Sequence, residues 1–291
     1  MIKFYIVGFI IIACIIRFIY IKCLSNKRFR YYKNKTKKVS TKYGKISYID
    51  EGNGEIILSV HGICGGYDQA YETVSSYINN YHIIAPSRFG YPGSDIPNNP
   101  NIDMQVEAYI ELLDKLGINK CYVLATSAGG AVAIKFALLH PERTKGLILY
   151  CSSYPNISKP DKVMKYAGPP SIFLNDFMMW LISPLFKPIM GMNKSTLKEI
   201  IPLKERKKGI IFDGKECNIV MSKDYKEYDL RKLKVPLLAI HSKDDKLANY
   251  KMAETWSKYV KNSTLFLFED GGHLMSGHAS EIYSALCNFI K

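Results

Sequence analysis

The stretch "ATSAGG", Ala125–Gly130, separates an apolar run, Cys121–Leu124, from a helix-like run, Ala131–Leu139. A serine between a buried strand and a helix exposes its hydroxyl only if the two elements can close up on either side of it. That requires small residues two before and two after the serine. Ala125 and Gly129 meet the requirement, and a methyl is the least bulky departure from glycine at the first position. The turn also sets Ser127 at a helix start, where free N–H groups and the dipole favour negative charge. Ser127 is therefore the candidate nucleophile. Such a turn alone is also compatible with an ordinary loop, so the neighbouring segments have to decide.

Working outward, short apolar runs recur: "EIILSV" (Glu55–Val60), "YHIIAP" (Tyr81–Pro86), "CYVLAT" (Cys121–Thr126) and "GLILYC" (Gly146–Cys151). These read as strands buried on both faces, and "KISYIDEG" (Lys45–Gly52) alternates like a half-buried one. Helical patterns lie between them at Gln69–Ile78, Asp103–Leu116 and Ala131–Leu139. The alternation resumes at "VPLLAIHS" (Val235–Ser242), followed by a helix (Leu247–Tyr259), a strand (Thr264–Phe268) and a last helix (Ala279–Ile290). The expected class is α/β, a mostly parallel sheet flanked by helices. Residues 45–152 and 235–291 would be two halves of one core, with 153–234 inserted between them as a cap. An interruption of that length needs structure of its own.

The inserted "SIFLNDFMMWLISPLFKPIMGM" (Ser171–Met192) is apolar and rich in Met and aromatics, and Pro184 and Pro188 break it. Two readings stand. Its helices fill the cap's core, or they turn a greasy face toward a substrate, with Phe177, Trp180 and Leu181 as lining residues.

The net charge of +14 suggests nucleic acid until it is located. Residues 1–45 carry twelve Lys or Arg and no acid, which leaves 28 bases against 26 acids for the rest. The body of the chain is nearly neutral, which argues against a nucleic-acid partner. Phe4–Ile21 is eighteen residues with one charge, Arg17. It reads as a membrane anchor (1–24) followed by a basic linker (25–44), and the alternative is a cleaved signal peptide. Arg17, Tyr20 and Lys22 stand where a cleavage site needs small residues, which favours the anchor. Positive charge after the span favours a cytoplasmic catalytic domain. A chain beginning near Lys38 would then be soluble. The seven scattered cysteines form no C-x-x-C or His/Cys cluster, so no metal site is expected, and no cofactor.

Three further segments complete a site. "SVHGICGGYDQ" follows the Glu55–Val60 strand, where glycines would let the Ile63 N–H join that of Ala128 around a carbonyl oxygen. His61, ahead of Gly62 in that loop, suits a structural role. "TLFLFEDGGHLMSGH" supplies His273 as base after a late strand, with His278 nearer the last helix. "LLAIHSKDDKLA" supplies the acid, Asp244 or Asp245.

With "HGICGG", "PSRFGYPGS" (Pro86–Ser94), "ATSAGG", "HPERTKGLIL" and "EDGGH" in this order, the chain resembles the α/β-hydrolase superfamily from about Lys45 onward. In that family the acid lies three residues beyond a glycine, here Ser242, which selects Asp245. The resemblance implies a serine hydrolase with the triad Ser127, Asp245, His273, acting through an acyl-enzyme. Serine at 127 argues against the haloalkane-dehalogenase and epoxide-hydrolase branches. With the anchor and the greasy cap, a lipid-like carboxylic ester is the expected substrate. A carbon–carbon-bond hydrolase with the same triad and a non-catalytic ligand- or partner-binding member remain the alternatives.

Overall fold

The computed structural model describes residues 2–77 and 80–291, so the expected end of the first core helix, Ile78, lies outside the described residues. The chain opens with α1 (Ile2–Lys33) and continues as β1 (Lys37–Thr41), β2 (Gly44–Glu51), β3 (Glu55–Val60), α2 (Tyr67–Val74) and β4 (Tyr81–Pro86). Then come α3 (Ile102–Lys115), β5 (Cys121–Thr126), α4 (Gly130–Leu139) and β6 (Thr144–Tyr150). The short insert helices follow: α5 (Asp176–Ile182), α6 (Phe186–Met190), α7 (Leu197–Ile200), α8 (Lys207–Phe212) and α9 (Asn218–Lys223). The chain closes with β7 (Leu237–Ser242), α10 (Tyr250–Tyr259), β8 (Ser263–Phe268) and α11 (Ala279–Phe289).

The eight strands form one sheet in the order β1-β2-β4-β3-β5-β6-β7-β8. From β4 onward every neighbour is parallel, and only the β1–β2 and β2–β4 pairings are antiparallel. Parallel strands joined through helices are covered on both faces, so they read as unbroken apolar runs; every residue of β5 and of β7 is buried. One core cluster lies under α3, α4 and α10, and a second lies under α2 and α11. The insert between β6 and β7 has its own cluster around Met179, Phe186, Leu197, Ile201 and Ile210.

Two register facts position the site. Val60 at the end of β3 pairs with Ala125 near the end of β5, so the loops after both strands emerge side by side. Ser242 at the end of β7 pairs with Phe268 at the end of β8, bringing the two late loops to the same edge. That carboxyl edge is where open α/β sheets place their ligands.

The N-terminal region carries the expected apolar helix but departs from the expected linker. Among the described residues α1 is the one helix long and apolar enough to cross a membrane; its apolar window has a mean hydropathy of 2.5 and is wholly unburied. The helix does not end there. It runs on through Ser25 and Phe29, both buried, and Lys37–Thr41 is a sheet strand rather than linker. Arg28 donates to Asp68 at 2.7 Å and also pairs with Glu72, both on α2. Lys22 pairs with Asp176 of α5 at 3.2 Å, and Phe18 packs edge-on against Phe177. The basic residues that looked like a solvated run include ones with acidic partners distant in the sequence.

Candidate active site

Ser127 has φ +50, the left-handed backbone that a sharp strand-to-helix turn imposes on its central residue. The size limits around it have identifiable causes. A Cβ at Gly129 would stand 2.6 Å from the Val60 carbonyl and 2.7 Å from that of His61. Ala125 is fully buried and its carbonyl accepts the Ser152 hydroxyl at 3.0 Å, so a methyl fits at this position.

Ser127 Oγ lies 2.9 Å from His273 Nε2, and His273 Nδ1 lies 2.9 Å from Asp245 Oδ2. The other Asp245 oxygen accepts the N–H groups of Leu247 (2.7 Å) and Ala248 (3.0 Å). Burial works to raise the Asp245 carboxyl, but the His273 hydrogen bond and charge and these N–H groups outweigh it and hold it below its ordinary range. An ionised Asp245 fixes Nδ1 as the protonated nitrogen, leaving Nε2 as an acceptor facing the Ser127 hydroxyl. Asp244 is exposed and accepts the Gly272 N–H at 2.8 Å, so it steadies the turn before His273 rather than the imidazole. At the position where the family carries glycine, the Ser242 hydroxyl donates to the Gly272 carbonyl at 2.7 Å. His278 stands at the start of α11, bonded to Asp270 at 3.0 Å.

The loop after β3 touches the serine turn: a Cβ on Gly62 would stand 3.1 Å from Ser127 Cβ. The expected oxyanion donors are the neighbours in chain of these two touching residues: Ile63 follows Gly62 and Ala128 follows Ser127, and both are half-buried. His61 has the structural role. It is buried, its Nδ1 donates to the Gly62 carbonyl (2.8 Å) and its Nε2 accepts the Arg88 N–H (2.9 Å). Burial and the Arg88 charge push its pKa well below the usual value, so it is neutral and occupied at both nitrogens.

The sequence reading did not find what holds this loop. Arg88 donates to the Gly62 carbonyl at 3.1 Å and pairs with Asp213 of the insert at 2.5 Å. The Tyr91 hydroxyl donates to Asp213 and accepts the Cys64 N–H at 3.3 Å. Arg206 of the insert donates to the Gly65 carbonyl and pairs with Asp68 at 2.6 Å. Arg206 sits in the charged run Lys204–Lys208, where nothing in the sequence sets it apart from its exposed neighbours. A further histidine passed over, His241, is buried with Nε2 3.7 Å from Asp245 Oδ2 and no hydrogen-bond partner there.

Phe177 and Trp180 pack on Phe18 of α1, at ring-centroid distances of 5.4 and 5.5 Å, and Leu181 is half exposed. Trp180 also joins the inward cluster of the same segment, in which Met179, Ile182, Phe186 and Met190 pack with Ile63 and Cys64. Gly191 then reaches the triad, accepting the His273 N–H at 3.3 Å.

The model of the alpha/beta hydrolase fold family matches residues 55–181. An uncharacterized hydrolase of Bacillus subtilis, YcgS, is 27% identical over 85% of this chain and 95% of its own. The 2-hydroxy-6-oxo-6-phenylhexa-2,4-dienoate hydrolase of Burkholderia cepacia is 29% identical over 67% of each chain. Among solved structures, one titled a membrane phospholipase A, a bacterial virulence factor, superposes with a TM-score of 0.66 over 99% of both chains at 14% identity. The sheet order, the loops gathered at its carboxyl edge and the family model matched over residues 55–181 agree: the chain has the α/β-hydrolase fold.

Proposed function

We propose that the chain is a membrane-anchored serine hydrolase that cleaves carboxylic esters of lipid-like acyl substrates. The observation that carries the chemistry is the unbroken hydrogen-bonded line from Ser127 through His273 to Asp245. In this reading Ser127 Oγ attacks the ester carbonyl carbon as its proton passes to His273 Nε2. The imidazolium, stabilised by Asp245, then protonates the departing alkoxide. Water deprotonated by His273 attacks the acyl-enzyme, the acid leaves, and Ser127 recovers its proton. The Ile63 and Ala128 N–H groups would hold the oxyanion, each contributing about 3–4 kcal/mol by the cost of removing such a donor. Extra clamps on the loop carrying Ile63 support this role, because donors fixed in advance need no reorganisation during the reaction.

The ester-of-lipid part rests on α1, apolar and unburied over its span, and on the apolar face that the insert turns to Ile63 and Cys64. The overlap with the phospholipase, which extends over α1, is in keeping with it. The dienoate hydrolase relative favours a second reading, cleavage of a carbon–carbon bond beside a ketone by the same three residues. Fluorophosphonate labelling followed by assay on esters of graded chain length and on 2-hydroxy-6-oxo-6-phenylhexa-2,4-dienoate separates the readings. We expect labelling and ester turnover, both abolished in Ser127→Ala with folding intact. Turnover of the dienoate alone would replace the ester reading, and labelling that survives Ser127→Ala would end the mechanism.

A further inference from the structure

Between α1 and the insert lies a cleft of about 200 Å³, away from the triad. Arg17, Lys194 and Lys198 line it, its apolar wall is Ile21, Trp180 and Leu197, and no carboxylate borders it. None of the three cations makes an ion pair among the described residues, whereas Lys22, one turn beyond Arg17, is paired with Asp176. Arg17 is the single charge of the apolar run Phe4–Ile21. The cleft therefore opens at the level where a spanning helix leaves hydrocarbon for the headgroup layer. Beside it, Phe177 and Leu181 are 47% and 53% exposed, and Phe177 touches Phe18, so the apolar flank of α1 continues onto α5. Three unpaired cations around an apolar slot, contiguous with a lipid-facing flank, match one ligand chemistry: an anionic group carried on acyl chains.

We propose that this cleft seats the phosphate of an anionic phospholipid from the bilayer that α1 crosses. Arg17, Lys194 and Lys198 surround the phosphate, and the acyl chains run down the exposed flank of α1. The lipid here is a docking ligand rather than the substrate, and it holds the insert against the membrane surface. The inference rests on the anchored reading of α1.

Trp180 reports on the cleft, since the second of the chain's two tryptophans, Trp256, is buried with its Nε1 bonded to the Pro155 carbonyl. The full chain is placed in phosphatidylcholine vesicles containing either dibrominated phosphatidylglycerol or the same fraction of dibrominated phosphatidylcholine, and its tryptophan emission is read. We expect stronger quenching by the brominated phosphatidylglycerol. The excess should vanish in Trp180→Phe and in the double variant Lys194→Glu/Lys198→Glu, both lysines being exposed. It should weaken with salt and survive added inorganic phosphate. Equal quenching by the two lipids overturns the headgroup site. Relief of the excess by inorganic phosphate makes it a free-phosphate site and overturns the lipid. Absence of quenching in a chain that resists carbonate extraction shows an anchored protein whose insert stands off the bilayer, and also overturns the proposal. Release of the chain by carbonate removes the anchored reading itself.

Discussion

Asp244 and Asp245 are adjacent carboxylates with different partners, and that difference is measurable. Asp245→Asn removes the charge that fixes the His273 tautomer and stabilises the imidazolium, so kcat on a short ester should fall roughly 10³–10⁴-fold. Asp244→Asn keeps an oxygen to accept the Gly272 N–H, so the loss should stay under about tenfold by the small cost of swapping one acceptor for another. Comparable losses in the two variants, with equal melting temperatures, would contradict these roles. The distinction was legible because the count from Ser242 depends on a loop of fixed length. So was the Ser127 turn, since Gly129 faces two carbonyls at under 3 Å and any larger residue must displace them. Arg88, Arg206 and Asp213 were not legible: their pairings join positions up to 138 residues apart, and nothing local marks a charge as buried.

Among the elements, β3, β4 and β5 coincide with the apolar runs read from the sequence, because burial on both faces keeps these strands predominantly apolar. The insert was read less well. Its helical period is visible in Met179, Ile182, Phe186 and Met190, but periodicity gives two faces without saying which one meets the core. Helix α7 carries a further consequence. Burial, reinforced by Glu72 and Asp68 of the α2 region and opposed by Arg28 of α1 and Arg206 of the insert, pushes the Glu199 carboxyl up to about 7. Between about 4.5 and about 7 the folded chain holds a proton that the unfolded chain has released, so stability falls as pH rises through that window. Glu199→Gln should therefore leave the melting temperature unchanged near the bottom of the window and raise it above the top. A variant that melts like the parent at both ends would mean that Glu199 titrates normally.

At the scale of the whole molecule, α1 packs into the body of the fold as well as carrying the apolar candidate span. Arg28 of α1 and Arg206 of the insert share the buried Asp68, and Arg206 also holds the Gly65 carbonyl of the loop beside Ser127. A chain beginning near Lys38 loses Arg28 and the buried Phe29. Asp68 keeps Arg206, so the lost Arg28 hydrogen bonds cost about 1.5–3 kcal/mol, and the aromatic contributes about 1.5–3 kcal/mol more. That chain should melt well below one beginning at Leu24 and turn over short esters more slowly, while the longer one keeps the activity without the apolar span. Equal melting temperatures would return residues 25–37 to the role of a linker. Composition revealed the span and the basic run, but a pairing across 40 residues of sequence is invisible to it. The continuity of α1 also sets a distance. From Arg17 to Arg28 the helix rises about 17 Å at 1.5 Å per residue, with no flexible joint between. On the anchored reading this is a post of fixed height rather than a leash. The enzyme then patrols a plane: its turnover follows the mole fraction of substrate in its own leaflet, and the lipids of a neighbouring vesicle lie beyond its reach.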